Sequence, residues 1–125
     1  MIEPAFLLDA NICVYLLGGN AHDLRMRIEE REQGELATSS VAFAEVMIGA
    51  VRRDAIDEAL HFFQAIPVLP FDERAGRAYA RLPFKRGSFD RLIAAHALAL
   101  GLTLITNNTR DFADIPDLRV ENWTE

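Results

Sequence analysis

The chain has 125 residues, half of them apolar, and a formal net charge of −6 at pH 7. This length suits a single domain, residues 1–125, with a sizeable buried core, and the apolar fraction excludes a disordered chain. No apolar run approaches the ~20 residues that span a bilayer, no basic leader is present, and the single cysteine excludes an internal disulfide. The sequence is therefore expected to be cytoplasmic, without a membrane partner.

Short apolar runs predict strands at residues 5–8, 36–38, 68–69 and 102–105, with a short edge strand at 119–121. Helical patterns cover residues 12–17, 21–33, 39 or 40 onward, 54–66, 72–82 and 89–100. Ser88 is expected to cap the last helix and Gly101 to end it. Strands that alternate with helices predict an α/β fold in which a short, mainly parallel sheet is flanked by helices.

Several polar side chains fall where the predicted strands end or the next helices begin. Asp9 follows the first strand, Glu45 lies in the second turn of the helix after the second strand, and Asp90 lies in the first turn of the last helix. Three more follow the last long strand: Asn107, Asn108 and Asp111. In a parallel α/β sheet these positions share the carboxyl edge, where such folds place their sites.

Glu45 is the only charged residue between Glu35 and Arg52. Its neighbours at helical spacing are apolar or small: Val41, Ala42, Ile48 and Gly49. A carboxylate in such surroundings is costly unless something positive faces it, which argues against a plain surface position. The other acids have simpler alternatives: Asp9 as a helix cap, Asp90 as a first-turn acid, and Asp111 as a solvated loop residue.

Carboxylates that gather without a matching buried base repel one another, so a divalent cation is their natural partner. Oxygen ligands favour Mg²⁺ or Mn²⁺ over zinc. A cation in such a site can activate water and stabilise the displacement at a phosphodiester. The pattern therefore predicts metal-dependent phosphodiester chemistry.

The charge is unevenly distributed along the chain. Residues 1–73 carry a net −8 and the last fifteen a net −4, but residues 74–110 carry seven bases and one acid, Asp90. This basic segment predicts either a solvated face or a phosphate track without sequence specificity. Its RNA-binding candidates are Arg74, Arg77, Arg81, Lys85, Arg86 and Arg91. Phe84 and Phe89 could stack on bases, although core packing is the expected role for both.

Four segments resemble, in order and spacing, the PIN-domain toxins of the VapC type. They are LLDANICVYLL, SSVAFAEVMIGA, FDRLIAAHALALGLTLITNNTRDF and IPDLRVENW. The resemblance covers nearly the whole chain and implies a PIN-like three-layer fold. It further implies the toxin half of a type II toxin–antitoxin pair, a Mg²⁺- or Mn²⁺-dependent endoribonuclease that cuts exposed loops of RNAs such as tRNA or ribosomal RNA.

Carried over by position, Asp9, Glu45 and Asp90 match the three acidic metal-site residues of that family. The fourth acidic position falls either on Asn108 or on Asp111, and Thr106 matches a hydroxyl residue that supports the site. The family also implies a homodimer and a VapB-type antitoxin that wraps the toxin and inserts a basic side chain into the acidic pocket, in a larger assembly. The alternative is a non-catalytic relative that binds RNA or protein through the same pocket.

Overall fold

The structure is a computed structural model that describes residues 2–19, 21–85 and 88–125. Within these ranges five strands form one parallel sheet in the order β3-β2-β1-β4-β5. The strands are β1 (Phe6–Leu8), β2 (Leu36–Ser39), β3 (Val68–Leu69), β4 (Thr103–Ile105) and β5 (Val120–Glu121). The predicted α/β fold around a parallel sheet is confirmed, and a strand is present at each predicted position.

Strand β1 lies at the centre of the sheet, between β2 and β4. Leu7 pairs in register with Ala37 on one side and with Leu104 on the other. All three side chains are fully buried. Continuous apolar strands are stable here because helices cover both faces of the sheet.

Helices connect the strands and end near the bounds expected from the sequence. They are α1 (Ala10–Gly18), α2 (His22–Glu29), α3 (Ser40–Arg52), α4 (Ile56–Ala65), α5 (Glu73–Ala80) and α6 (Phe89–Leu100). A 3-10 helix at Thr109–Phe112 was not predicted. Among the described residues, no helix has the length and apolarity needed to cross a membrane.

The strand order determines where the helices lie. The connections from β1 to β2 and from β2 to β3 step in one direction across the sheet, whereas the connection from β3 to β4 returns in the other. Because crossovers between parallel strands are right-handed, helices α1 to α4 and helices α5 and α6 cover opposite faces. Accordingly, α1 packs on α3 and α4, while α5 packs along α6.

Two predicted helix boundaries were wrong. Helix α2 ends at Glu29 rather than at residue 33, because Glu32 and Gly34 belong to a separate turn. In that turn the Glu32 N–H donates to Oε2 of Glu35, and Gly34 has a φ of 103°. Asp54 does not begin α4: it occupies a turn with a φ of 55°, and the helix starts two residues later.

His96 ties α6 to the start of α3. Its ring is buried, and its Nδ1 lies 2.8 Å from the Ser39 Oγ. Ser39 is also the N-cap of α3, where its Oγ accepts a hydrogen bond from the Val41 N–H at 3.1 Å. The hydrogen bond between Nδ1 and the serine hydroxyl fits a neutral imidazole, whose pKa is lowered by burial.

Gly101 supports a prediction about the end of α6. Its φ of 69° is in the left-handed region, which costs an L-residue about 1 kcal/mol or more. We expect Gly101→Ala to lower the free energy of unfolding by roughly 1 kcal/mol in urea denaturation.

Gly76 provides the matched control for this substitution. It lies inside α5, and a Cβ built there meets no atom within 4 Å. Gly76→Ala should therefore raise the free energy of unfolding by up to about 1 kcal/mol. Equal effects of the two substitutions would contradict the assigned backbone conformations.

Candidate metal-dependent site

The predicted site residues lie along the carboxyl edge of the sheet. The strand order changes direction between β1 and β4, and open α/β sheets bind ligands in the crevice at such a point. Asp9 follows β1 directly, and Thr106 follows β4 directly. The fold therefore brings these two side chains to the two sides of the crevice.

Asp9 is buried and caps α1. Its Oδ1 accepts a hydrogen bond from the Ile12 N–H at 2.9 Å. Burial raises the pKa of Asp9 from 3.8 to about 6, although hydrogen bonds from Thr106 and Ile12 lower it, and the Asp90 carboxylate raises it further. Capping is thus observed, and it coexists with electrostatic coupling to a second acid.

Glu45 lies in the second turn of α3. Its Oε1 is buried and has no hydrogen-bond partner in the described part of the chain. Burial raises the pKa of Glu45 to about 7, and the negative charges of Asp90 and Asp9 raise it as well. A buried carboxylate oxygen that receives no hydrogen bond is costly, and a strongly raised pKa beside other acids is typical of functional groups.

Asp90 connects the acidic residues with one another. It lies in the first turn of α6, where burial raises its pKa, Asp111 raises it further and the adjacent Arg91 lowers it. Asp111 is exposed in the 3-10 helix. Asp90 therefore interacts electrostatically with Asp9 and Glu45 on one side and with Asp111 on the other.

Asn108 and Thr106 link Asp111 to Asp9. The Nδ2 of Asn108 donates to Oδ2 of Asp111 at 2.6 Å, and its backbone N–H donates to the Thr106 Oγ1 at 3.1 Å. Thr106 is fully buried, and its hydroxyl lowers the pKa of Asp9. Asn108 thus orients the carboxylate of Asp111 at this corner of the site.

The acidic residues interact electrostatically but do not form a preassembled ligand cage. Across residues 2–19, 21–85 and 88–125, no group of three or more His, Cys, Asp or Glu side chains stands ready to hold a metal ion. Mg²⁺ retains several waters and is commonly held by only one or two carboxylates, so it does not require such a cage. The oxygen-only donors and the unpartnered Glu45 oxygen fit a hard divalent cation.

Two of the predicted RNA-binding residues on α5 make contacts within the protein. An Arg74 Nη donates to the carbonyl of Ala99 at 2.8 Å, so the start of α5 packs beside the end of α6. From Ala99 to Asp90 the rise along α6 is ~14 Å. Arg77 is exposed and forms an ion pair with Glu73 at 2.8 Å. Arg74 is therefore engaged at the end of the helix pair away from Asp90, and Arg77 is paired on the exposed surface of α5.

Arg81 and Lys85 lie nearer to the acidic edge. Both are exposed, Arg81 at the C-cap of α5 and Lys85 in the segment that leads toward α6. Arg86, another predicted RNA contact, lies outside the described residues. The described ends of this segment give a basic approach to Asp90.

The structure contradicts the predicted RNA contact of Arg91. Its side chain is only 2% exposed, and its guanidinium donates to both carboxylate oxygens of Asp114, at 2.8 and 2.9 Å. A buried, paired guanidinium cannot reach a phosphate. The sequence offered only a weak signal, because Arg91 has the apolar residues Ala94 and Ala95 at helical spacing while its partner Asp114 is 23 positions away.

The expectation that Phe84 and Phe89 pack in the core was wrong. Phe84 is 80% exposed and Phe89 is 52% exposed. Phe89 immediately precedes Asp90 at the start of α6, and Phe84 lies next to Lys85. The structure therefore leaves two aromatic rings accessible beside the acidic edge.

A groove of about 690 Å³ between α1, α3 and α4 was not predicted from the sequence. Glu45 lines it, together with Tyr15, Val46 and Gly49. The apolar neighbours of Glu45 therefore face a groove as well as the core. The available signal was α1, in which Val14, Tyr15 and Leu17 add apolar side chains beyond the face that packs on the core.

Comparison with known proteins identifies relatives along nearly the whole chain. A family model described as "PIN domain" matches residues 6–118. The curated protein "tRNA(fMet)-specific endonuclease VapC" of Shigella flexneri is 35% identical, over 95% of this chain and 98% of the relative. Its namesake from Salmonella typhimurium is 32% identical, over 94% and 97%.

Solved structures with the same fold come from toxin–antitoxin complexes. One is the crystal structure of VapBC2 from Rickettsia felis bound to a DNA fragment from the promoter. The chain superposes on it with a TM-score of 0.85 at 28% identity, over 95% of this chain and 98% of that chain. DNA-bound VapBC from Salmonella typhimurium gives 0.83, also at 28% identity, over 98% and 99%.

The raised pKa of Glu45 predicts a pH dependence of stability. Between about pH 4.5 and 7 the folded protein retains this proton longer than the unfolded chain, so the contribution of Glu45 to the free energy of unfolding falls as pH rises. His96, whose pKa is lowered, contributes in the opposite direction near pH 6.5. The comparison of wild type with Glu45→Gln cancels the histidine contribution.

In EDTA we expect Glu45→Gln to gain stability over wild type at pH 8 and to lose most of that gain near pH 5, as measured by urea denaturation. Exposed Glu30→Gln is the matched control and should show no such trend. A gain of equal size at both pH values would contradict the raised pKa.

Proposed function

The chain belongs to the PIN-domain family and is a ribonuclease of its VapC toxin type, and we propose that its acidic residues bind Mg²⁺ for the hydrolysis of RNA phosphodiester bonds. PIN-domain nucleases generally depend on divalent metals, and Mn²⁺ is expected to substitute here. The proposed ligands are Asp9, Glu45 and Asp90, with Asp111 assisting. The observation that carries this proposal is the buried Oε1 of Glu45, which has no partner among the described residues and lies near two other acids.

The surroundings of the acids give each a defined role. Asp9 is fixed at the N-terminus of α1 by the Ile12 N–H, so its carboxylate keeps one orientation toward the crevice. Asp90 lies beside Asp9 and Glu45 and would share a cation with them. A bound divalent cation supplies positive charge to the reacting phosphate and eases deprotonation of the attacking water.

Water is the proposed nucleophile, without a covalent intermediate. Cys13 follows Asp9 by one helical turn, but its thiol is fully buried. Burial raises the pKa of Cys13 to about 12, so a thiolate is not available at neutral pH. The reaction is therefore a direct hydrolysis within the acidic site.

RNA would approach along the segment before Asp90. Arg81 and Lys85 supply exposed positive charge for the phosphates, and Phe84 and Phe89 offer exposed faces on which unstacked bases can lie. These four side chains favour a single-stranded loop over a duplex. The relatives named as tRNA(fMet)-specific endonucleases make a tRNA the first substrate to test, with ribosomal RNA as the second. We expect the protein to act in the cytoplasm, where both RNAs occur.

The groove between α1, α3 and α4 is the proposed seat of a VapB-type antitoxin. Its wall is largely apolar and suits the apolar face of a helix, while Glu45 at its margin offers a carboxylate to an inserted arginine or lysine. The neighbouring folds in VapBC complexes support such a partner. A homodimer within a larger assembly is also proposed, since Ile48, Val51 and Leu60 leave further apolar surface exposed.

The metal-site assignment is tested with Asp9→Asn. Asparagine caps helices as well as aspartate, so the variant should keep its fold and accept the Ile12 hydrogen bond. We expect cleavage of total cellular RNA in Mg²⁺ or Mn²⁺ to fall by about a hundredfold or more. Sequencing the fragment ends of the wild-type reaction would identify the substrate.

Asp117→Asn is the control, because it makes the same chemical change in the turn before β5, at the opposite edge of the sheet. It should cleave like wild type. Cleavage by Asp9→Asn at the wild-type rate, or cleavage that persists in EDTA, would refute the proposed site.

The groove assignment is tested at Gly49. A Cβ there meets nothing within 4 Å, so Gly49→Ala should remain both toxic and neutralised by the cognate antitoxin. Gly49→Phe fills the groove. We expect this variant to remain toxic in growth assays, and we expect the antitoxin no longer to neutralise its toxicity. Full neutralisation of Gly49→Phe would place the antitoxin elsewhere.

A further inference from the structure

Arg91 and Asp114 form a contact outside the acidic site in which one guanidinium nitrogen donates to both carboxylate oxygens. The guanidinium Nη2 lies 2.8 and 2.9 Å from the two carboxylate oxygens, and the arginine is almost completely buried while Asp114 is 44% exposed. The two residues are 23 positions apart. The contact therefore joins the first turn of α6 to the segment that follows the 3-10 helix.

Each joined segment carries one of the proposed metal ligands. Asp90 is the direct neighbour of Arg91, and Asp111 lies three residues before Asp114. Asp111 belongs to an exposed 3-10 helix that has few other ties to α6 among those that the structure describes. We propose that the Arg91–Asp114 contact is a positioning device that fixes Asp111 at its working distance from Asp90. This inference rests on the proposed metal-dependent function.

A purely stabilising role is a poor explanation for this contact. The Nη1 of Arg91 is buried and has no hydrogen-bond partner among the described residues. Desolvation of a guanidinium offsets much of what the ion pair contributes, and buried pairs can often be replaced by apolar residues without loss of stability. A charge-assisted contact from one guanidinium nitrogen to both carboxylate oxygens does, however, limit the separation of the two segments that it joins.

The charge of Arg91 and its positioning role predict opposite effects on cation binding. Arg91 is positive and lies beside Asp90, whose pKa it lowers. If charge alone mattered, its removal would make the site more negative and tighten the binding of a divalent cation. If the contact positions Asp111, its removal would let the 3-10 helix shift and weaken binding. The sign of the change therefore separates the two explanations.

The test measures Mn²⁺ binding to the purified full chain by isothermal titration calorimetry. We expect Arg91→Met to weaken binding about tenfold, the size typical for residues that orient metal ligands. Arg91→Lys keeps the charge but replaces the planar guanidinium with an ammonium on a shorter side chain, and it should also weaken binding. Arg77→Met is the control, since it removes an arginine from the exposed ion pair with Glu73 and should leave Mn²⁺ affinity unchanged.

A charge-balanced double variant keeps the test decisive if Arg91→Met alone unfolds. Arg91→Met combined with Asp114→Asn leaves the net charge unchanged. The positioning role still predicts weaker Mn²⁺ binding for this double variant, whereas charge alone predicts no change in affinity. Tighter or unchanged binding in the folded Arg91 variants would overturn this inference and leave the proposed function standing. Absence of Mn²⁺ binding by the wild-type chain, or wild-type Mn²⁺ affinity in Asp9→Asn, would overturn both.

Discussion

Mutual repulsion between partly buried carboxylates is the constraint on which the rest of the site depends. Asp9, Glu45 and Asp90 come from three separate segments. The charge of Asp90 raises the pKa of both Asp9 and Glu45, and the charge of Asp9 also raises the pKa of Glu45. Water screens this repulsion less where it is partly excluded. The folded chain must therefore hold these groups together at a cost in free energy, and a cation that occupied the site would remove that cost.

The helix termini supply the fixed positive potential that makes this arrangement tolerable. Asp9 is the N-cap of α1, Asp90 lies in the first turn of α6, and Glu45 lies in the second turn of α3. The N-terminus of a helix carries a partial positive charge and unpaired N–H groups. Because all strands run parallel, these termini meet at one edge of the sheet, so the topology concentrates both the acids and the dipoles that offset them.

Local sequence patterns were sufficient to predict the strands, the cap at Ser88 and the edge where the acids meet. Those features depend on residues close together in the chain. The burial of Arg91 was not predicted, because its partner Asp114 comes from a segment that only the tertiary fold brings near. The exposure of Phe84 and Phe89 was missed for a related reason: an aromatic residue packs inside only if another segment covers it. The ligand roles of the acids remain predictions.

The hydroxyl of Ser39 has a consequence for mutational screens. It caps the helix that carries Glu45 and bonds to His96 in the middle of the helix that carries Asp90. One interior oxygen thus links the two helices that carry Glu45 and Asp90. A random search for detoxified variants should recover substitutions at Ser39 and His96, although neither side chain belongs to the proposed ligand set. Positions that are sensitive to substitution in this protein should therefore include residues that align the helices as well as the proposed metal ligands.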